Sequence, residues 1–152
     1  MKRFCTMEEI RPLMEESLQR GDGVTLTVTG RSMWPMLRGG RDSVTLHRPK
    51  GALKKYDIPL YRRQDGSWVL HRIVEVRADG YLCMGDHQLR AERVARRQIV
   101  GVLTSFTRGG RTISPRSPAC RFYVTLWCRL RLPRRVGLKL EAVYVRLRRR
   151  CG

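Results

Sequence analysis

Between residues 24 and 107 apolar and polar side chains alternate with a period of two in six short runs, and turn signals punctuate them. A chain patterned this way folds into antiparallel strands, because alternate residues of a strand face opposite sides of a sheet. The runs are Val24 to Val28, Ser43 to His47, Ile58 to Tyr61, Trp68 to Val76, Gly80 to Met84 and Ile99 to Thr107. Gly39-Gly40, Asp65-Gly66 and Asp79-Gly80 supply turns. Ahead of the first run the period changes to that of a helix. Met7, Ile10, Leu13, Met14 and Leu18 share one face, Gly21 stands where the helix should stop, and Pro12 lies early enough to be tolerated. The expected fold is mainly β (α+β), a compact β domain of residues 24–107 preceded by a short amphipathic helix within residues 1–23. Residues 108–118 are turn-rich and read as a linker. Residues 119–152 read as basic amphipathic helices, with Phe122, Tyr123, Leu126, Trp127 and Leu130 at helical spacing and a second set, from Val136 to Leu147, after Pro133.

Composition bears on partners. At 41% hydrophobic, a chain of 152 residues can bury a core. Its formal net charge of +19 would draw it to a polyanion, whether nucleic acid or anionic lipid. From residue 115 onward there are eleven Arg or Lys against the single acid Glu141, net +10 in 38 residues, while the first 114 residues carry net +9. The density of positive charge therefore about triples at the C-terminus. Tyr123, Trp127 and Tyr144 among those arginines suit an anionic lipid interface, so peripheral membrane contact through residues 119–150 is expected. Five cysteines, with no CxxC pair and no His at zinc-ligand spacing, argue for a reducing compartment and against a disulfide framework or metal site. The first residues lack the pattern of a secretory signal, since 7–20 carry four Glu and two Arg, and no run approaches the ~20 apolar residues of a spanning helix. A cytoplasmic or peripheral-membrane location is expected, and nothing in the residues calls for a cofactor.

Three segments carry chemistry. TGRSMWPMLRGGRDSVTL (29–46) places Ser32 between a strand and a Gly-Gly turn, SWVLHRIVEV (67–76) places His71 inside an apolar run, and DGYLCMGDHQ (79–88) places Asp86 at a strand exit. A Ser hydroxyl needs a base within hydrogen-bond reach to act as a nucleophile, and that base gains from a carboxylate that holds its tautomer. Taken singly, each residue has a plainer explanation. Ser32 and Asp86 are ordinary turn residues, and a His in an apolar strand is commonly a satisfied core residue.

Taken in order, SMWP, YDIPL (56–60), HRIVEV, DGYLCMGD and IVG (99–101) resemble the type I signal peptidases and their LexA-like relatives over about residues 24–105. Usual bacterial members and the LexA-like autopeptidases have a Lys base where this chain has His71. The endoplasmic-reticulum and archaeal subclass has His in an HR(I/V) motif, and it is this Ser/His subclass that the chain resembles. The resemblance implies the signal-peptidase or LexA-like β fold and a serine endopeptidase acting on a signal or leader peptide of a preprotein. Ser32 would be the nucleophile, His71 the general base, and Asp86 the acid that orients His71. Glu92 matches a second family acid less well, because QLRAER departs from the usual Asn-rich and Asp-rich pattern, and a surface ion pair with Arg93 or Arg96 is the alternative for it. Where many relatives have a small hydroxyl residue two positions before the nucleophile, this chain has Gly30. The oxyanion would then rest on the backbone N–H of Ser32, with Gly30 admitting the substrate backbone and Pro35 fixing the turn. Met33 and Trp34 either pack the core or line the cleft. His47 and His87 lack the HR(I/V) context, and Lys54 and Lys55 read as solvated surface. Against the family, a membrane anchor is missing from residues 1–23, and those residues are too few for the DNA-binding domain of LexA-like relatives. The alternative function is a non-catalytic basic protein of the same fold that binds a membrane surface or, as a lesser option, nucleic acid.

Overall fold

The three-dimensional structure, a computed structural model, describes residues 7–129. It is mainly β. Helix α1 (Met7–Arg20) follows the amphipathic pattern and buries Met14 and Leu18. Strands β1 (Val24–Thr27), β2 (Ser43–His47), β3 (Pro59–Arg62), β4 (Trp68–Leu70), β8 (Ile99–Arg108) and β9 (Arg111–Ile113) form one antiparallel sheet in the order β1-β2-β8-β3-β4, with β9 on the far half of β8. Strands β5 (Arg72–Val76), β6 (Gly80–Met84) and β7 (Glu92–Ala95) form a second, three-stranded meander. Helix α2 (Pro118–Tyr123) follows, capped by Ser117, whose Oγ accepts from the Cys120 N–H, and runs into a π-helical turn over Val124–Arg129. Among the described residues no helix is long and apolar enough to cross a membrane.

The run from Trp68 to Val76, read as one strand, is two. It breaks at His71, where the chain leaves the first sheet and enters the second. The run is apolar on either side of the break, so the residues alone conceal it, whereas burial loses its alternation there, with His71, Arg72 and Ile73 all buried. Residues 108–118, read as a linker, hold β9, which a Gly109-Gly110 turn folds back onto β8 with Phe106 opposite Ile113. The second helical set, from Val136 to Leu147, lies outside the described residues, as do Cys5 and Cys151.

Strands β3 and β4 divide two cores. Leu60 joins a core with Leu37, Leu46, Ile58 and Phe106, against which Trp68 and Leu70 pack, while their neighbours Tyr61 and Val69 join Ile73, Cys83 and Val94 on the other side. Each fully buried Leu or Ile contributes about 1.5–3 kcal/mol. The larger sheet curls so that its two outer strands, β1 and β4, line the same cavity of about 280 Å³.

Candidate active site

The β1–β2 pair closes at Thr27 opposite Ser43, leaving residues 28–42 as a long loop that carries Ser32. Such a loop holds one shape only if its backbone is tied down. Val28 N–H donates to the Asp42 carbonyl at 2.9 Å and Gly40 N–H to the Val28 carbonyl at 2.8 Å. The fully buried Asp42 carboxylate accepts from Arg38 N–H, Arg41 and Arg108, and Arg108 also donates to the Met36 carbonyl. Burial works to raise the Asp42 pKa, but these donors win and hold it below the usual carboxylate range. Inside the loop Leu37 N–H bonds the Met33 carbonyl, and the Trp34–Pro35 bond is cis. Gly30 is exposed with φ +73°, the left-handed region that glycine enters at no steric cost.

Ser32 and His71 both line the cavity between β1 and β4, together with Met33, Leu60, Arg63 and Gln88. Met33 is 2% exposed, so it packs the core and lines the cavity at once. Among the described residues no hydrogen bond joins Ser32 Oγ to His71, and the Ser32 N–H has no partner. Trp34 does not line the cavity and meets His87 edge-on at 5.4 Å.

His71 is 2% exposed and its Nδ1 faces a polar cluster. Tyr61 Oη lies 3.1 Å from Nδ1 and donates its proton to Glu92 Oε1 at 2.6 Å. A phenol has one proton, so Tyr61 can only accept from His71, and Nδ1 must carry hydrogen. The neutral ring then presents a lone pair at Nε2, the form a general base needs. Glu92 Oε1 is itself 3.3 Å from Nδ1. Arg63 clasps Glu92 through Nε at 2.8 Å and a terminal nitrogen at 2.7 Å. Burial tends to raise the Glu92 pKa, but the bonds from Arg63 and Tyr61 hold it below the usual range. Burial lowers the His71 pKa from its ordinary value, only partly opposed by Glu92. Burial and the bond to Glu92 both raise the Tyr61 pKa, so the phenol keeps its proton.

Asp86, expected behind His71, is turned elsewhere. Arg72, one residue along the chain from His71 and so directed to the other face, grips it with Nε to Oδ1 at 2.8 Å and a terminal nitrogen to Oδ2 at 2.7 Å. The carboxylate at His71 Nδ1 is that of Glu92, and its partner is Arg63 rather than Arg93 or Arg96. The residues 85–88 nevertheless reach Ser32, since His87 N–H donates to the Ser32 carbonyl at 2.8 Å. A Cβ on Gly85 would stand 2.5 Å from that carbonyl oxygen, so only glycine fits there. Tyr61, Arg63 and Arg72 carried no signal of a site role in the sequence, apart from the place of Arg72 in the HRIV motif. Among the described residues no group of three or more His, Cys, Asp or Glu is placed to hold a metal ion. No protein-family model matches this chain, and no curated protein matches it.

Proposed function

We propose that the chain is a serine endopeptidase of the signal-peptidase kind, with Ser32 as nucleophile and His71 as general base. The observation that carries the reading is a buried histidine whose Nδ1–H is committed to Tyr61 and Glu92, in the same cavity as a serine whose own N–H has no partner among the described residues. In this reading His71 Nε2 removes the proton as Ser32 Oγ attacks the scissile carbonyl, and the Ser32 N–H steadies the oxyanion. The protonated His71 hands that proton to the leaving amine, and water then releases the acyl group by the same steps in reverse roles. Glu92 takes the supporting part that the resemblance assigns to Asp86. Among the described residues β1 and β4 have no partner on their outer edges, on either side of the cavity, which favours a substrate in extended conformation, since such a peptide can continue the backbone ladder of either strand. The specific signal-peptidase or LexA-like fold belongs to this proposal.

The test is cleavage of a leader-type peptide by the full chain. Ser32→Ala and His71→Ala are each expected to lower kcat by about 10⁴-fold with the fold intact by circular dichroism. Processing at the wild-type rate by either variant would sink the assignment.

One observation favours the alternative of a basic binding protein. A groove of about 960 Å³ on another part of the surface has a floor including Leu18, Leu53 and Val102, and Arg20, Arg48, Lys50, Lys54 and Arg116 around it against the one acid Asp57. Arg48, Lys50 and Lys54 make no ion pair among the described residues. An anionic membrane surface suits that chemistry, and the C-terminal basic segment would extend the contact. The triple variant Arg48→Glu, Lys50→Glu, Lys54→Glu is expected to release the chain from anionic vesicles while Ser32→Ala stays bound; retention of the triple variant would remove the groove from this reading.

A further inference from the structure

The inner side of α2 and its π-helical continuation makes its hydrogen bonds toward the site at Asp86, while Cys120 and Tyr123 pack against the core that includes Met33 and Met36. Asp86 is 1% exposed and held by four side chains: Arg72 at both carboxylate oxygens, Tyr123 Oη donating to Oδ2 at 3.1 Å, Trp127 Nε1 donating to the main-chain oxygen at 2.9 Å, and, more weakly, Cys128 Sγ donating to Oδ1 at 3.9 Å. Tyr123 and Trp127 stack on each other at 6.3 Å, and the Arg72 guanidinium lies 5.9 Å from the Tyr123 ring. The two residues beside Asp86 are the ones that touch the Ser32 main chain, Gly85 by close approach and His87 by its N–H. Arg72 extends the link to Met36 Sδ at 2.7 Å, within the loop that carries Ser32, and it follows His71 directly. A displacement of residue 86 therefore displaces the seat of the Ser32 carbonyl.

We propose that Tyr123 and Trp127 are positioning residues for Ser32. Their two hydrogen bonds to Asp86 fix residues 85–87, and those residues hold the nucleophile's own carbonyl. The helix that follows the sheet is thus a clamp on the site, acting through Asp86; among the described residues it makes no hydrogen bond to Ser32 or His71. The positioning role rests on Ser32 being the nucleophile, whereas the mechanical link from Trp127 to His87 does not.

The experiment uses the full chain with Tyr123→Phe and Trp127→Phe, singly and together. These remove one donor each and keep an aromatic ring in place. Amide hydrogen exchange at His87 reports the bond to the Ser32 carbonyl, and exchange in β2 reports the sheet. In the double variant His87 exchange is expected to rise about tenfold with β2 unchanged, the scale of losing one or two hydrogen bonds at a buried charged group. The kcat for peptide cleavage should fall at least about tenfold with KM unchanged. Phe122→Ser, on the exposed side of the same helix, should change neither. Unchanged His87 exchange would overturn the link. A wild-type kcat in the double variant, in a chain whose cleavage depends on Ser32, would overturn the positioning role. If cleavage does not depend on Ser32, the nucleophile assignment and the positioning role fall together, and His87 exchange still decides the link. Should the double variant lose protection in β2 as well, Tyr123→Phe alone decides, because it deletes a single hydroxyl.

Discussion

His71 and Arg72 are consecutive, yet they serve two regions that differ in kind. Around His71 the groups form a graded chain: Arg63 to Glu92, Glu92 to Tyr61, Tyr61 to the ring, with the Glu92 side chain 31% exposed and the cluster open toward a cavity. Around Arg72 a permanent cation and a carboxylate lie face to face at 2% and 1% exposure, covered by Tyr123 and Trp127. The first region can exchange a proton, because its central group titrates and its partners fix which nitrogen carries hydrogen. The second cannot do so usefully. Burial would lower the Arg72 pKa, but Asp86 more than reverses this and raises it, so the guanidinium stays charged. The difference teaches that a carboxylate close to His71 in motif order can be locked in a buried ion pair, while the carboxylate that faces the ring comes from a strand 21 residues further on, at Glu92.

The strongest way to break this comparison is to remove Asp86. Asp86→Ala strands a buried guanidinium and is expected to destabilise the fold by about 3–5 kcal/mol in urea unfolding. A small loss of stability together with a changed His71 titration would mean that the two regions are one. Next in size is Glu92→Gln, which keeps the shape and removes the charge that fixes the direction of the Tyr61 proton. It is expected to lower kcat about 100-fold. Glu92 opposes the fall in the His71 pKa, so without it the pKa drops further and the acid limb of the kcat/KM profile moves to lower pH. A limb that moves to higher pH would show that Glu92 does not face the ring in solution. Tyr61→Phe should cost less, about tenfold in kcat, because Glu92 Oε1 at 3.3 Å can take over the Nδ1 hydrogen. Equal losses for the two variants would place the phenol, not the carboxylate, at the centre. The smallest effect is on stability. His71 has a folded-state pKa below its unfolded value near 6.5, so the unfolded chain binds the extra proton. That contribution is complete above pH ~6.5 and is lost as pH falls toward the folded-state pKa. In His71→Gln the slope of unfolding free energy against pH in that window should flatten.

Much of this arrangement was legible as pattern. Helix α1, β2 and β6 have the bounds that amphipathicity and alternation indicate, because each buries one regular face. Strand β7 escaped because Glu92–Ala95 offers only Val94 and the small Ala95, behind two charged residues. Strand β9 is three residues long, though the Gly-Gly pair before it was a readable hairpin turn. The break at His71 was hidden because the run is apolar on both sides of it, and it matters most for the site, since it sets the ring at the joint of two sheets. Ser32 and His71 stood out through motif context. Glu92 was visible as an acid but its partner was not: Arg63 lies 29 residues away and comes near only because β3 and β6–β7 pack against the same core. Tyr61 looked like any buried aromatic on an alternating strand, and nothing local announces that its hydroxyl is the hinge of the cluster.

The close approach of Gly85 to the Ser32 carbonyl has a consequence for how the chain tolerates change. Every other residue brings a Cβ into a space 2.5 Å from that oxygen, so the loop that carries Ser32 or residues 85–88 would have to give way. In a saturation library selected for cleavage, position 85 should be as invariant as position 32, although it takes no part in bond making. In a library selected only for folded protein, position 32 should relax to Ala and Gly while 85 stays closed. The contrast between the two libraries would separate, codon by codon, what the chain needs in order to act from what it needs in order to exist.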